Sequence, residues 1–124
     1  PGADHWGGYA TERERIATFI AENDIDGLVM LAGDAHMLAI DDGTNSDFAP
    51  EGGAVFPIMH AAALDRVGST KGGPYSEGAF PGGGQFGTMT VQDDGGDVII
   101  VGLTGHDWTG HEITDLTVHI EVEP

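Results

Sequence analysis

Cysteine is absent from the 124 residues, which excludes a disulfide framework and any thiolate metal site. Positive charge is scarce: Lys71 is the single lysine, and with three arginines it stands against 21 acidic residues, for a formal net charge of −17. Such a surface repels phosphodiester backbones and anionic headgroups, and argues against nucleic acid or an anionic membrane as partner. A salt-rich milieu and a cation-binding role both suit it. No apolar run approaches the length of a membrane span, and no basic-plus-apolar leader opens the chain. What is abundant is glycine, 21 residues of it, which implies many turns and loops around one modest core.

The stretch from Gly27 to Gly43 organises the rest. Leu28 to Ala32 is a continuous apolar run, as expected of a strand buried on both faces. It breaks at Gly33, which permits a tight turn and close backbone approach, and Asp34 and His36 follow at once. Ligands of α/β sheets bind at the carboxyl ends of strands. An acid and an imidazole on a glycine-hinged turn there read as a metal or phosphate-handling pair. The residues alone equally allow a loop in which Asp34 caps a turn and His36 is satisfied nearby.

Upstream, Asp4-His5-Trp6-Gly7-Gly8-Tyr9 precedes Thr11-Glu12-Arg13-Glu14-Arg15, a helix, the apolar strand and Gly33-Asp34-Ala35-His36. This order resembles the alkaline phosphatase D (PhoD-like) branch of the calcineurin-like metallophosphatases, from Asp4 to about Gly43. The resemblance implies that Asp34 and His36 stand in the late metal-ligand block of a two-metal centre for divalent or trivalent ions, and that Trp6 and Tyr9 lie near its rim. It implies a phosphate mono- or diester as substrate, in families that are often exported. The family's earlier ligands have no counterpart here, and the chain enters a motif directly after Pro1-Gly2. The expectation is therefore a single domain, 1–124, forming the carboxy-terminal portion of a larger PhoD-like enzyme, inactive by itself and inclined to self-associate. The alternative is a non-catalytic acidic β-rich module that binds divalent cations or a protein partner.

Local patterns predict the remaining elements. Thr11 to Glu14 has the form of a capping box, so a helix is expected over about 12–23 with Ile16, Phe19 and Ile20 on its inner face. Arg13 and Arg15 read as surface partners of neighbouring acids. Met37 to Ile40 either covers the site or begins a short element. Residues 41–47 form a polar loop whose order departs from that of an EF-hand. Ala54 to His60 has strand composition, and Pro57 points to an edge or a bulge, with His60 structural. Residues 61–65 allow one helical turn, and 68–84 form a long loop.

Phe86 to Gln92 and Val98 to Leu103 flank Asp93-Asp94-Gly95-Gly96-Asp97 and predict a hairpin. A loop over 104–112 holds His106 and His111, more a strand connector than a metal site, with Trp108 folded onto the sheet. In the last strand Leu116, Val118, Ile120 and Val122 face inward and Thr117, His119 and Glu121 outward. The expected fold is α/β in the α+β sense: part of a metallophosphatase-type β-sandwich flanked by helices, with a C-terminal antiparallel sheet.

Overall fold

A computed structural model of the chain describes residues 6–121. One helix and two sheets are stacked in three layers, an α+β arrangement made mostly of strands. A 3-10 turn, Trp6–Tyr9, winds straight into helix α1, Ala10–Glu22. Thr11 is therefore already inside the helix, the N-cap is Tyr9, and no side-chain cap hydrogen bond forms. The expected capping box is absent for that reason.

The buried stripe of α1 is also shifted. Ala17 and Ile20 face the core, while Phe19 is 60% exposed and Ile16 is exposed as well. Ala17, having only a methyl group, lets the helix come down on Ala54 and Phe56. Arg13, one turn earlier, lays its guanidinium 4.3 Å from the centre of the Phe48 ring. Trp6 meets the same ring edge-on at 5.7 Å, whereas Tyr9 is exposed.

The middle layer is a four-stranded sheet of β1 (Met30–Ala32), β2 (Leu38–Asp41), β3 (Ile58–His60) and β4 (Ala79–Phe80), in the spatial order β1-β3-β2-β4. Strands β1 and β3 run parallel, and β2 is antiparallel to both β3 and β4. Two expectations are reversed here. The 28–32 run is an edge strand rather than one buried on both faces, and Leu31 is 52% exposed. The segment with Pro57 is instead interior. Pro57 precedes β3 and offers only its carbonyl, which accepts from the Met30 amide at 2.9 Å, so its missing N–H costs the ladder nothing.

The residues just after the candidate turn form the most buried strand of the chain: every residue of β2 is buried. Residues 61–65 contain no helical turn, and the 68–84 loop is interrupted by β4.

The third layer is an antiparallel meander of β5 (Phe86–Gln92), β6 (Val98–His106) and β7 (Glu112–Glu121). The hairpin forms as expected, with Gln92 opposite Ile100 and Phe86 opposite His106. Strand β6 runs on through His106, so the second loop shrinks to 107–111. Trp108 sits on that turn and is 79% exposed rather than folded onto the sheet. Within β7, Leu116, Val118 and Ile120 are partly buried while Thr117, His119 and Glu121 are exposed. Val122 lies outside the described residues.

The two sheets meet through Ile40 and Met59 on one side and Val101 and Leu103 on the other. Fully burying a side chain of this size stabilises by about 1.5–3 kcal/mol. On the opposite face of the first sheet, Met30 and Ile58 pack against the cluster that holds α1.

Candidate functional site

The two parallel strands end side by side, with Ala32 in register with His60. What leaves the sheet at that end is the Gly33-Asp34-Ala35-His36 turn from β1 and Ala61 from β3. The turn is tight: the Ala35 amide donates to the Gly33 carbonyl at 2.7 Å. Asp34 and His36 both adopt left-handed backbone conformations, with φ of 60° and 56°. For residues with a Cβ this costs about 1–2 kcal/mol each, less for Asp than for His. Such outliers collect at functional sites. Asp34 is exposed and His36 half-buried, so a carboxylate and an imidazole are presented at the carboxyl end of β1 on a turn whose backbone is held in a costly shape.

That cost makes a stability prediction. Asp34→Gly should leave the chain as stable as the wild type or raise its stability by about 0.5–1 kcal/mol, because glycine adopts φ near 60° freely. Asp34→Ala should not. A denaturation series on the three proteins measures the difference. Equal midpoints for Gly and Ala would mean that the turn is unstrained.

A shallow groove of about 350 Å³ runs up to the turn, lined by Leu31, Gly33, Met59 and Met89 among others. His60, read from sequence as structural, stands at the same sheet end. Its ring meets Tyr75 edge-on, centroids 5.5 Å apart, and burial pushes its pKa below the usual imidazole value. Of the two histidines read from sequence in the other loop, one is engaged within the meander. His106 stacks on Phe86 at 4.9 Å, and its Nε2 lies 3.0 Å from the Thr88 hydroxyl. His111 is exposed. Asp107 closes the hairpin turn by accepting from the Thr109 hydroxyl and from the Thr109 and His111 amides, and the Thr109 hydrogen bond leads in holding its carboxyl below the usual range. The 107–111 segment is thus a strand connector.

A carboxylate oxygen and an imidazole nitrogen suit part of a divalent metal's donor set. Among the described residues, no group of three or more His, Cys, Asp or Glu side chains comes together to complete one. The polar 41–47 segment is built differently. Asp41, 2% exposed, turns its carboxylate back on the Gly43 and Asn45 amides, and Asp47 accepts from the amides of Ala49, Gly53 and Ala54. These are loop closures, not an open cation cage.

Residues 2–77, more than half of the chain, match the model of the PhoD-like phosphatase family. The chain belongs to that family. The matched stretch contains the helix, the first three strands, the Asp34–His36 turn and Tyr75, and stops before the antiparallel meander. No significant match was found among curated proteins or among solved structures. Of the motif that opens this PhoD-like chain, Asp4 and His5 lie outside the described residues.

Proposed function

We propose that this PhoD-like chain supplies Asp34 and His36 to the two-metal centre of an enzyme that hydrolyses phosphate mono- or diesters. The observation that supports the reading is the turn itself: an acid and an imidazole, both in left-handed conformations, at the end of a parallel strand within the family-matched stretch. Bound divalent or trivalent ions would polarise phosphoryl oxygens and furnish hydroxide at neutral pH. The chain's own part is to aim two donors outward from a stiff turn beside a groove.

Such a centre needs about three or more protein ligands per metal. With two donors, residues 1–124 alone should bind metal weakly and turn over no phosphate ester. The test is metal content and turnover of a chromogenic phosphate ester by the longest natural form of the protein. His36→Ala and Asp34→Ala should each cost at least about a hundredfold in turnover, together with bound metal, while leaving the fold intact. Near-normal turnover and metal content in His36→Ala would overturn the assignment.

Association between copies of the chain is a second property, favoured by the open edge of β1. Met30 and Ala32 bond to the β3 side, through the Met30 amide and the Ala32 carbonyl. By strand alternation the N–H and C=O of Leu31 point to the open side, beside an exposed leucine side chain. Sedimentation should show mass rising with concentration, more strongly at high salt where the −17 charge is screened. Leu31→Lys should return the chain to monomer; an unchanged profile in that variant would exclude this edge.

A further inference from the structure

The segment 68–78 crosses the sheet end just described and touches the candidate turn at its base. At Gly68 an added Cβ would lie 1.5 Å from the His36 carbonyl oxygen, so the loop backbone rests directly on that residue. Three residues on, the Lys71 amide points to the Met37 sulfur at 3.4 Å. Gly72 and Gly73, with φ of 69° and 96°, then reverse the chain around the Tyr75 ring. The Tyr75 hydroxyl donates back to the Lys71 carbonyl at 2.7 Å and lies 3.5 Å from His60 Nε2. Beyond Tyr75 the loop is fastened to β2: the Ser76 amide donates to Asp41 and the Glu77 amide to the Ile40 carbonyl. The far end is thus fixed to the sheet, and the near end lies over His36 and Met37. Between them the ring of Tyr75 is wedged against His60.

We propose that Tyr75 and His60 form a clasp that holds residues 68–72 down on the His36 turn, making them positioning residues for the candidate site. The proposal rests on the reading of Asp34 and His36 as donors only for its functional meaning. The clasp itself is tested without metal.

Hydrogen positions follow from the contacts. Since the Tyr75 hydroxyl spends its proton on Lys71, it can only accept from His60, so Nε2 carries the hydrogen of the neutral ring. Nδ1 is then the bare nitrogen, buried and, among the described residues, without a hydrogen-bond partner. A second proton there would be a buried cationic N–H with no acceptor. Other titratable or charged groups on the surrounding elements are Asp41 on β2, Asp34 and His36 after β1, Asp65 and Arg66 after β3, and Lys71, Tyr75 and Glu77 in the loop. Asp41 has its oxygens committed to four donors, Lys71 is exposed, and burial followed by the Asp41 charge pushes the Tyr75 phenol up. The direction of linkage follows from the lowered His60 pKa. The closed clasp has its full stability above the unperturbed value of 6.5 and loses it as pH falls through the depressed one.

Lys71 gives a direct readout, because a lysine-specific protease has a single target in this sequence and it lies inside the clasped loop. Cleavage after Lys71, normalised to a free peptide of residues 66–76 at the same pH, measures loop opening. Tyr75→Phe should speed it about fivefold, the equivalent of one net hydrogen bond. In the wild type, cleavage should also rise between about pH 8 and about pH 5.5. His60→Phe keeps an aromatic ring under Tyr75 but cannot titrate; its cleavage at the higher pH should stay within about twofold of wild type, and the acid response should vanish. The backbone and ring resonances of His36 should shift in Tyr75→Phe and not in Val67→Ala, a substitution at an exposed residue of the same loop.

Wild-type cleavage in Tyr75→Phe, an acid response that survives His60→Phe, or His36 signals indifferent to Tyr75→Phe would each overturn the clasp. Failure of the donor assignment would show instead as normal metal content in His36→Ala, with the cleavage results intact.

Discussion

Asp41→Ala is expected to cost about 2–3 kcal/mol of unfolding free energy, a large share of the roughly 5–15 kcal/mol of an ordinary domain. The side chain is 2% exposed at the end of β2. One oxygen accepts from the Gly43 and Asn45 amides, each at 3.0 Å; the other accepts from Asn45 Nδ2 at 2.7 Å and from the Ser76 amide at 3.0 Å. The carboxylate therefore ties two separate stretches of loop, 43–45 and 76, to the most buried strand. Removing it leaves the buried Gly43 amide without its acceptor and breaks three part-buried bonds to Asn45 and Ser76, and an unsatisfied buried group adds to such a loss. Asp41→Asn keeps one acceptor oxygen and should cost roughly half as much. The neighbouring Asp42 is exposed, and Asp42→Ala should leave the denaturation midpoint close to that of the wild type. Chemical denaturation of the three variants decides the matter. A loss below about 1 kcal/mol for Asp41→Ala would mean that water replaces the carboxylate and that the two loops are not held through it.

Asp41 also shows where sequence reading stops. In a string of seven polar residues, nothing local distinguishes the acid that ends a buried strand from the one beside it that faces water; Ser76, 35 positions away, makes the difference. The same holds at β1. A run of five apolar residues predicts burial on both faces, yet whether a strand is central depends on its neighbours, and among the described residues β1 pairs with β3 alone. Helix α1 was legible as a helix but not in its facing. Its inner stripe uses Ala17 in place of the larger Ile16 and Phe19, because packing against Phe56 rewards closeness over size. The meander was the most legible part. Alternation in β7 and the Asp-Gly turn between β5 and β6 are local signals, and the pairing register follows from them.

Of the candidate site, the position of Asp34 and His36 at a strand end could be read from the glycine break. Their left-handed backbones could not, nor could the arrival of His60 beside Ala32 and of Tyr75 above it. Those depend on the parallel pairing of β1 with β3 and on a loop that returns from Gly68.

The last expected result concerns that loop. Gly68→Ala should free residues 66–72 from the sheet end while leaving the meander folded. An alanine methyl at this position would sit 1.5 Å from the His36 carbonyl oxygen and 2.5 Å from its carbon, and both are backbone atoms without rotamers to escape into. Either the loop lifts or the His36 turn moves. The turn is continuous with Met37 and β2, all buried, whereas Leu64 to Val67 and Ser69 to Pro74 are exposed. The loop should therefore yield, at a cost to the closed arrangement of about 3 kcal/mol or more, and normalised cleavage after Lys71 should rise about a hundredfold. Gly96→Ala is the control, since nothing lies within 4 Å of an added methyl there. It should leave both cleavage and stability unchanged. Circular dichroism keeps the result interpretable: strand signal retained with fast cleavage means a lifted loop, and loss of all structure means that the turn, not the loop, gave way. Wild-type cleavage in a folded Gly68→Ala chain would show that the loop does not rest on His36, and the clasp above it would then have nothing to hold in place.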